Sequence, residues 1–218
     1  MDGYAGYGGT RFEFDPRRQM VWNEVIGYLE ELLGKPSSIL DMGAGYCAAV
    51  NASSAKRKYA CDIRPEFASH ATPGVKTRVC SCENLSWLPE GESLDWVIAS
   101  NLFEHLTRQT VVRCLSAVRE RLHRLGSLIV IQPNFRLCYR SYFDDYTHLP
   151  ESIFTEISMA DYLRTQGFEP TIVRRGFLPF SMKGKLPIHR LLVAAYLRSP
   201  FKPWSGQMLI VAKPAAGA

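Results

Sequence analysis

The 218-residue sequence has no CxxC pair and no Cys/His spacing suited to a structural metal, although it carries six cysteines. That excludes the common zinc-stapled folds, and scattered thiols of this kind predict a reduced, cytoplasmic protein. The CxC of Cys80 and Cys82, at the end of an expected strand, reads as half-buried packing. No run approaches the roughly 20 apolar residues of a membrane span. The opening MDGYAGYGGTRFEF lacks the apolar centre of a secretory signal. Charge of one sign is also scarce in excess: 26 Lys and Arg against 21 Asp and Glu. A balance this mild, with no basic stripe interleaved with aromatics, argues against a nucleic-acid partner. Internal repeats are missing too, and the KPAAGA tail is the one low-complexity stretch.

What is present is enough apolar matter, 46% of residues, for one well-filled core. A single domain over 1–218 is expected. Residues 15–33 place Val21, Val25, Ile26, Leu29, Leu32 and Leu33 at helical spacing behind Asp15 and Pro16, with Gly34 and Pro36 as a stop. Short apolar runs follow at 37–42, 58–63, 77–81, 94–100 and 127–132, separated by helical patterns such as the amphipathic TRQTVVRCLSAVRERLHRLG. Strands buried on both faces and linked by helices imply an α/β, doubly wound, Rossmann-like sheet. Two more strands are expected at 170–175 and 206–214.

The first strand ends in ILDMGAGYCAA. Gly43 and Gly45 permit a sharp turn and close approach of a ligand to the backbone, and a helix follows. GAGYCA also satisfies GxGxxA, with Asp62 about 20 residues on, as in dinucleotide sites. Asp41 separates the readings: a carboxylate there repels a pyrophosphate and suits an ammonium and a sulfonium. S-adenosylmethionine carries both and no phosphate. Asp62 is then placed to accept from the ribose hydroxyls, with Ile63 over the adenine.

ILDMGAGYC, ACDIRPE, SLDWVIASNLFEHL and LIVIQPNF, in this order, resemble the motifs of class I S-adenosylmethionine-dependent methyltransferases of the type 11 kind. Over nearly the whole chain, RFEFDPRRQMVW, ASNLFEHL, YFDDYTH, FLPFS and GQM are similar to a bacterial subgroup associated with glycan-building enzymes. The resemblance implies a seven-stranded sheet of order 3-2-1-4-5-7-6 with strand 7 antiparallel. It implies that Asp41, Gly43 and Gly45 hold the methionine portion, that Asp62 holds the ribose, and that Ser100, Asn101 and Leu102 border the transferred methyl. Many members have an aspartate near the end of strand 3; here Ser81 takes its place, leaving Cys82 and Glu83 for the adenine.

The stretch YRSYFDDYTHLPES follows the fifth strand, at the edge where such sheets bind ligands. It predicts an acceptor-side loop over 135–160. His148 is the expected general base for a hydroxyl acceptor, held by Asp144 or Asp145, with His105 the alternative. Tyr142, Phe143 and Tyr146 are expected to stack on a sugar ring, and Glu104 and Asn134 to reach the acceptor. Asp144, Asp145 and His148 are also a set that can hold Mg²⁺ across a diol, but the leading expectation assigns no metal. Residues 1–36 are read as lid and helix, with Arg11 near the cofactor carboxylate, and 37–134 as the cofactor-binding core. The apolar, basic segment 176–205 is read as a cap on the sheet, a dimer surface, or a peripheral contact with the inner face of an anionic membrane. The expected activity is O-methylation of a sugar or glycan intermediate. Methylation of another small metabolite at N, C or O, or cofactor binding without catalysis, are the alternatives.

Overall fold

The computed structural model describes residues 13–179 and 189–216. Seven strands form one sheet: β1 (Ser38–Met42), β2 (Arg57–Asp62), β3 (Val75–Val79), β4 (Leu94–Ser100), β5 (Leu122–Pro133), β6 (Phe168–Pro179) and β7 (Ser205–Pro214). Their order is β3-β2-β1-β4-β5-β7-β6, with β7 antiparallel to both neighbours and β1 to β5 all parallel. This is the expected topology. The helices are α1 (Arg17–Leu33), α2 (Ala48–Ala52), α3 (Arg108–Arg121), α4 (Phe135–Cys138), α5 (Glu156–Thr165) and α6 (Arg190–Arg198).

Successive strand side chains point to opposite faces, and the central strands are apolar at both parities. Leu40, Met42, Val97, Ala99, Leu128, Val130 and Ile210 bury against one face with Val111, Leu115 and Val118 of α3 and Met159 and Leu163 of α5. Ile39, Ile98, Ile129, Ile131, Leu209 and Val211 bury against the other with Val21, Val25 and Leu29 of α1 and Leu197 of α6. The continuous apolar runs of β1 and β4 thus reflect two cores, one per face. Edge strands β3 and β6 are largely exposed or half-buried along their lengths.

Local chemistry sets the helix ends. Asp15 accepts from the Arg17 N–H at 2.9 Å, and Gly34 ends α1 at φ 85°. The Thr107 hydroxyl caps α3, and Thr155 with Ser158 forms a reciprocal capping box at α5.

The 176–205 segment is partly strand: β6 extends to Pro179, and α6 packs on α1. Its described cations have partners. Arg190 pairs with Glu24, Arg198 with Glu31, and the Lys202 ammonium donates to the carbonyls of Tyr196 and Leu197. Lys183 and Lys185 lie outside the described residues. Leu191, Leu192, Phe201 and Trp204 remain exposed.

Candidate active site

The carboxyl ends of the parallel strands, closed on one side by α1, frame a cleft of about 930 Å³. Its floor begins at the turn after β1. Gly43 and Gly45 have φ of 66° and 57°, the left-handed region that favours glycine. The N–H groups of Gly43 and Ala44 both donate to the Cys61 carbonyl, at 2.9 and 3.0 Å, which ties the turn to β2. A Cβ on Gly43 would lie 2.8 Å from Leu102 Cδ1. That methyl is the end of a flexible side chain and can give way, so it is the positive φ that favours glycine here.

Asp62, at the end of β2, accepts from the Gly45 N–H through Oδ2 and from the Arg64 N–H through Oδ1, each at 2.9 Å. Its carboxylate is held in place and lines the cleft, as do Ile63, Ser81 and Cys82. Asp41 is placed differently: it is buried, does not line the cleft, and accepts from the Val50 N–H of α2 at 3.2 Å. Burial pushes its pKa up to about 7, against the pull of that N–H and with the charge of Asp62 adding to the rise. Glu83 pairs with Arg113 and does not line the cleft either. Arg11 lies outside the described residues.

Ser100, Asn101 and Leu102 continue the floor from β4. Asn101 has φ 48°, a strained value for a residue with a side chain. Its N–H donates to the Ile131 carbonyl at 2.8 Å, and its side-chain oxygen accepts from Gln207 at 3.1 Å. The floor is thereby pinned to β5 and β7.

The far wall joins the turn Phe103–His105 to the loop after α4. Leu149 N–H donates to the Glu104 carbonyl at 2.8 Å, and the Ser152 hydroxyl to the Leu106 carbonyl. The Thr147 hydroxyl donates to Asp145 Oδ1 at 2.7 Å, so it accepts from His105 Nδ1 at 2.9 Å. His148 Nδ1 is 2.7 Å from the Tyr142 carbonyl, which only accepts. Both rings therefore carry the proton on Nδ1 when neutral, leaving Nε2 as the basic nitrogen. His148 Nε2 is 4.0 Å from Asp145 Oδ2, and the two imidazole centroids are 4.9 Å apart. Burial, with the positive charge of His148 adding to it, pushes the pKa of His105 down to about 4. Glu104 is 1% exposed, and neither carboxylate oxygen has a hydrogen-bond partner among the described residues. Burial pushes its pKa up to about 8.

Glu104, His105, Asp144, Asp145 and His148 all line the cleft. Two acceptor expectations are corrected. Tyr142 is 1% exposed, and its hydroxyl faces the carbonyls of Leu149 and Ser152 at 3.1 and 3.2 Å, so it braces the loop and offers no face to a sugar. Asn134 is fully buried: its amide donates to Glu156 and the Arg175 carbonyl, and its oxygen caps α4. Phe143 and Tyr146 are exposed on the loop but do not line the cleft. The Mg²⁺ set read from sequence is not the one assembled: the nitrogen and carboxylate ligand atoms that converge belong to Glu104, His105 and His148. Missed from the sequence were Phe14, Arg18 and Trp22 on the α1 side, Arg64, and Gln207 from β7, all of which line the cleft. The DPRR helix start carried a signal for Arg18; nothing local marks Gln207.

Residues 40–130 match the family model described as a methyltransferase domain. A search of curated protein sequences found no match. Among solved structures, a SAM-dependent methyltransferase from Archaeoglobus fulgidus is similar at TM-score 0.67 and 16% identity, over 97% of this chain and 100% of that one. One from Clostridium acetobutylicum aligns at TM-score 0.63 and 12% identity, over 97% of each chain. The 1,6-didemethyltoxoflavin-N1-methyltransferase of Burkholderia thailandensis, solved with its substrate and S-adenosylhomocysteine, aligns at 0.62 and 18%, over 98% and 86%. The strand order and these likenesses show the class I methyltransferase fold, and residues 40–130 carry the match to a methyltransferase domain. The described residues fit S-adenosylmethionine: a fixed carboxylate at Asp62 for vicinal hydroxyls and a glycine turn that lines the cleft.

Proposed function

We propose that the protein is an S-adenosylmethionine-dependent methyltransferase, releasing S-adenosylhomocysteine, and that it methylates a hydroxyl of a small polyhydroxylated acceptor, a sugar or glycan-pathway intermediate, with His148 as general base. The observation that carries this reading is the ring geometry of His148: Nδ1 is committed to a backbone carbonyl, so Nε2 is the proton acceptor, and Asp145 lies 4.0 Å away to stabilise the imidazolium. The acceptor oxygen attacks the methyl carbon in line with the breaking C–S bond, the sulfonium becomes the thioether, and the hydroxyl proton passes to His148. A hydroxyl needs this help because it is a poor nucleophile until it loses its proton. His105, kept neutral by burial, and Thr147 hold the neighbouring carboxylate in register.

On this reading Asp62 takes the ribose, Ile63, Ser81 and Cys82 surround the adenine, and Gly43, Gly45 and Ser100–Leu102 border the methionine and the methyl. Arg17, Arg18 and Arg64 line the cleft and are described cations within it that the cofactor carboxylate can meet. Phe143 and Tyr146 are available at the loop surface for a larger glycan. The test is a screen of sugar, nucleotide-sugar and phenolic or amine acceptors, with S-adenosylhomocysteine release as readout. Turnover with hydroxyl acceptors that falls in His148→Ala supports the reading, and methylation of amines alone overturns it.

A further inference from the structure

The least explained group in the molecule is Glu104. A carboxylate removed from water without a hydrogen-bond partner is costly, and every other buried acid among the described residues has one: Asp41 has the Val50 N–H, Asp62 has two backbone donors, and Glu156 has Asn134. Beside Glu104 stand two imidazoles, and one ligand atom from each of Glu104, His105 and His148 lies within 4.8 Å of the others. Hydrogen bonds on the far side of each ring, from Nδ1 to Thr147 and to the Tyr142 carbonyl, fix the orientation of both histidines. Partners behind the ligand are what orient histidines at metal centres.

We infer that Glu104, His105 and His148 bind one divalent first-row transition ion, of the Mn²⁺, Fe²⁺ or Zn²⁺ class, whose open positions face the cleft and take the acceptor hydroxyl. Two nitrogens and one carboxylate suit such ions better than Mg²⁺, which prefers oxygen. The ion would supply the missing partner of the Glu104 carboxylate. It rests on the methyltransferase reading and changes one step of it: the ion lowers the pKa of the bound hydroxyl, and the proton leaves to water in the open cleft instead of to His148. The bond that forms is still oxygen to methyl carbon, and the bond that breaks is still carbon to sulfur.

The test titrates MnCl₂ into chelator-stripped full-length protein with S-adenosylhomocysteine present, read by calorimetry and by the electron paramagnetic resonance of free Mn²⁺. One ion per chain is expected, with affinity reduced at least tenfold in Glu104→Gln and in His105→Ala. S-adenosylhomocysteine affinity and melting temperature report that each variant is folded. Two variants are used so that loss of folding in one leaves the other decisive. No saturable Mn²⁺ binding to wild type, or binding unaltered in both variants, overturns the inference. The two readings fail separately. Turnover of a hydroxyl acceptor that persists in excess chelator and drops in His148→Ala retains the base and removes the metal. Mn²⁺ bound by these residues in an enzyme that methylates amines alone retains the metal and removes the hydroxyl acceptor.

Discussion

The two halves of the cleft are built by different means. The side proposed for the cofactor is built from backbone: a glycine turn at positive φ, N–H groups clamped to the Cys61 carbonyl, and an aspartate fixed by two backbone donors. The side proposed for the acceptor is built from side chains of two segments more than thirty residues apart, 103–105 and 139–152, joined by Thr147, Leu149 and Ser152. A backbone site is rigid because the sheet is rigid, whereas a side-chain site is as well ordered as the hydrogen bonds behind it.

Perturbing each half should therefore leave the other intact. The largest effect is expected for His148→Ala, which should lower kcat by about 10²- to 10⁴-fold, the usual range for a lost general base, while the affinity for S-adenosylhomocysteine measured by calorimetry stays the same. A weakening of cofactor binding in that variant would show the halves to be coupled. Next, Asp62→Ala should cost about a hundredfold in S-adenosylhomocysteine affinity, since hydrogen bonds to a charged group are worth roughly 1.5–3 kcal/mol each; kcat at saturating cofactor should change far less.

Asp41 sharpens the comparison through pH. Its pKa in the fold, about 7, is above the ordinary 3.8 because burial disfavours the charged form. The stability it contributes is complete below 3.8 and is lost as pH rises through about 7. Asp41→Asn should match the wild type near pH 4 and exceed it at pH 8 by up to about 4 kcal/mol, by denaturant titration at the two pH values. Equal stabilities at pH 8 would mean that the carboxylate has found a partner in solution. The smallest effect is expected at Trp204, exposed on the loop before β7. Trp204→Ser should move stability within about ±0.5 kcal/mol and leave both halves of the cleft untouched, and it should abolish binding to anionic vesicles if this exposed side chain meets a membrane.

The same division explains what could be read in advance. Strand positions were legible because β1, β4 and β5 are apolar on both faces, their order through the resemblance of the motifs, and the turn after β1 because glycine is the residue that most readily adopts its φ. The acceptor wall was legible in residue type only. A loop of short 3-10 turns gives its side chains no fixed face, so the aromatic run could not reveal that Tyr142 points inward while Phe143 and Tyr146 point out. Asn134 read as a site residue because a strand end and a helix cap favour the same polar side chain. The Arg190–Glu24 and Arg198–Glu31 pairs join residues more than 160 positions apart, so the basic character of 176–205 looked free when much of it is paired.

The place of β7 in the sheet has a consequence for synthesis. It is threaded between β5 and β6, both of which precede it in the chain, and it brings Gln207 to Asn101 at the floor of the cleft. Until residues 205–214 leave the ribosome, β5 has a bare edge, β6 has no neighbour, and the strained Asn101 backbone lacks that partner. The nascent chain thus carries all the motifs of the cofactor side well before it has a cleft to put them in, and competence arrives with one late strand.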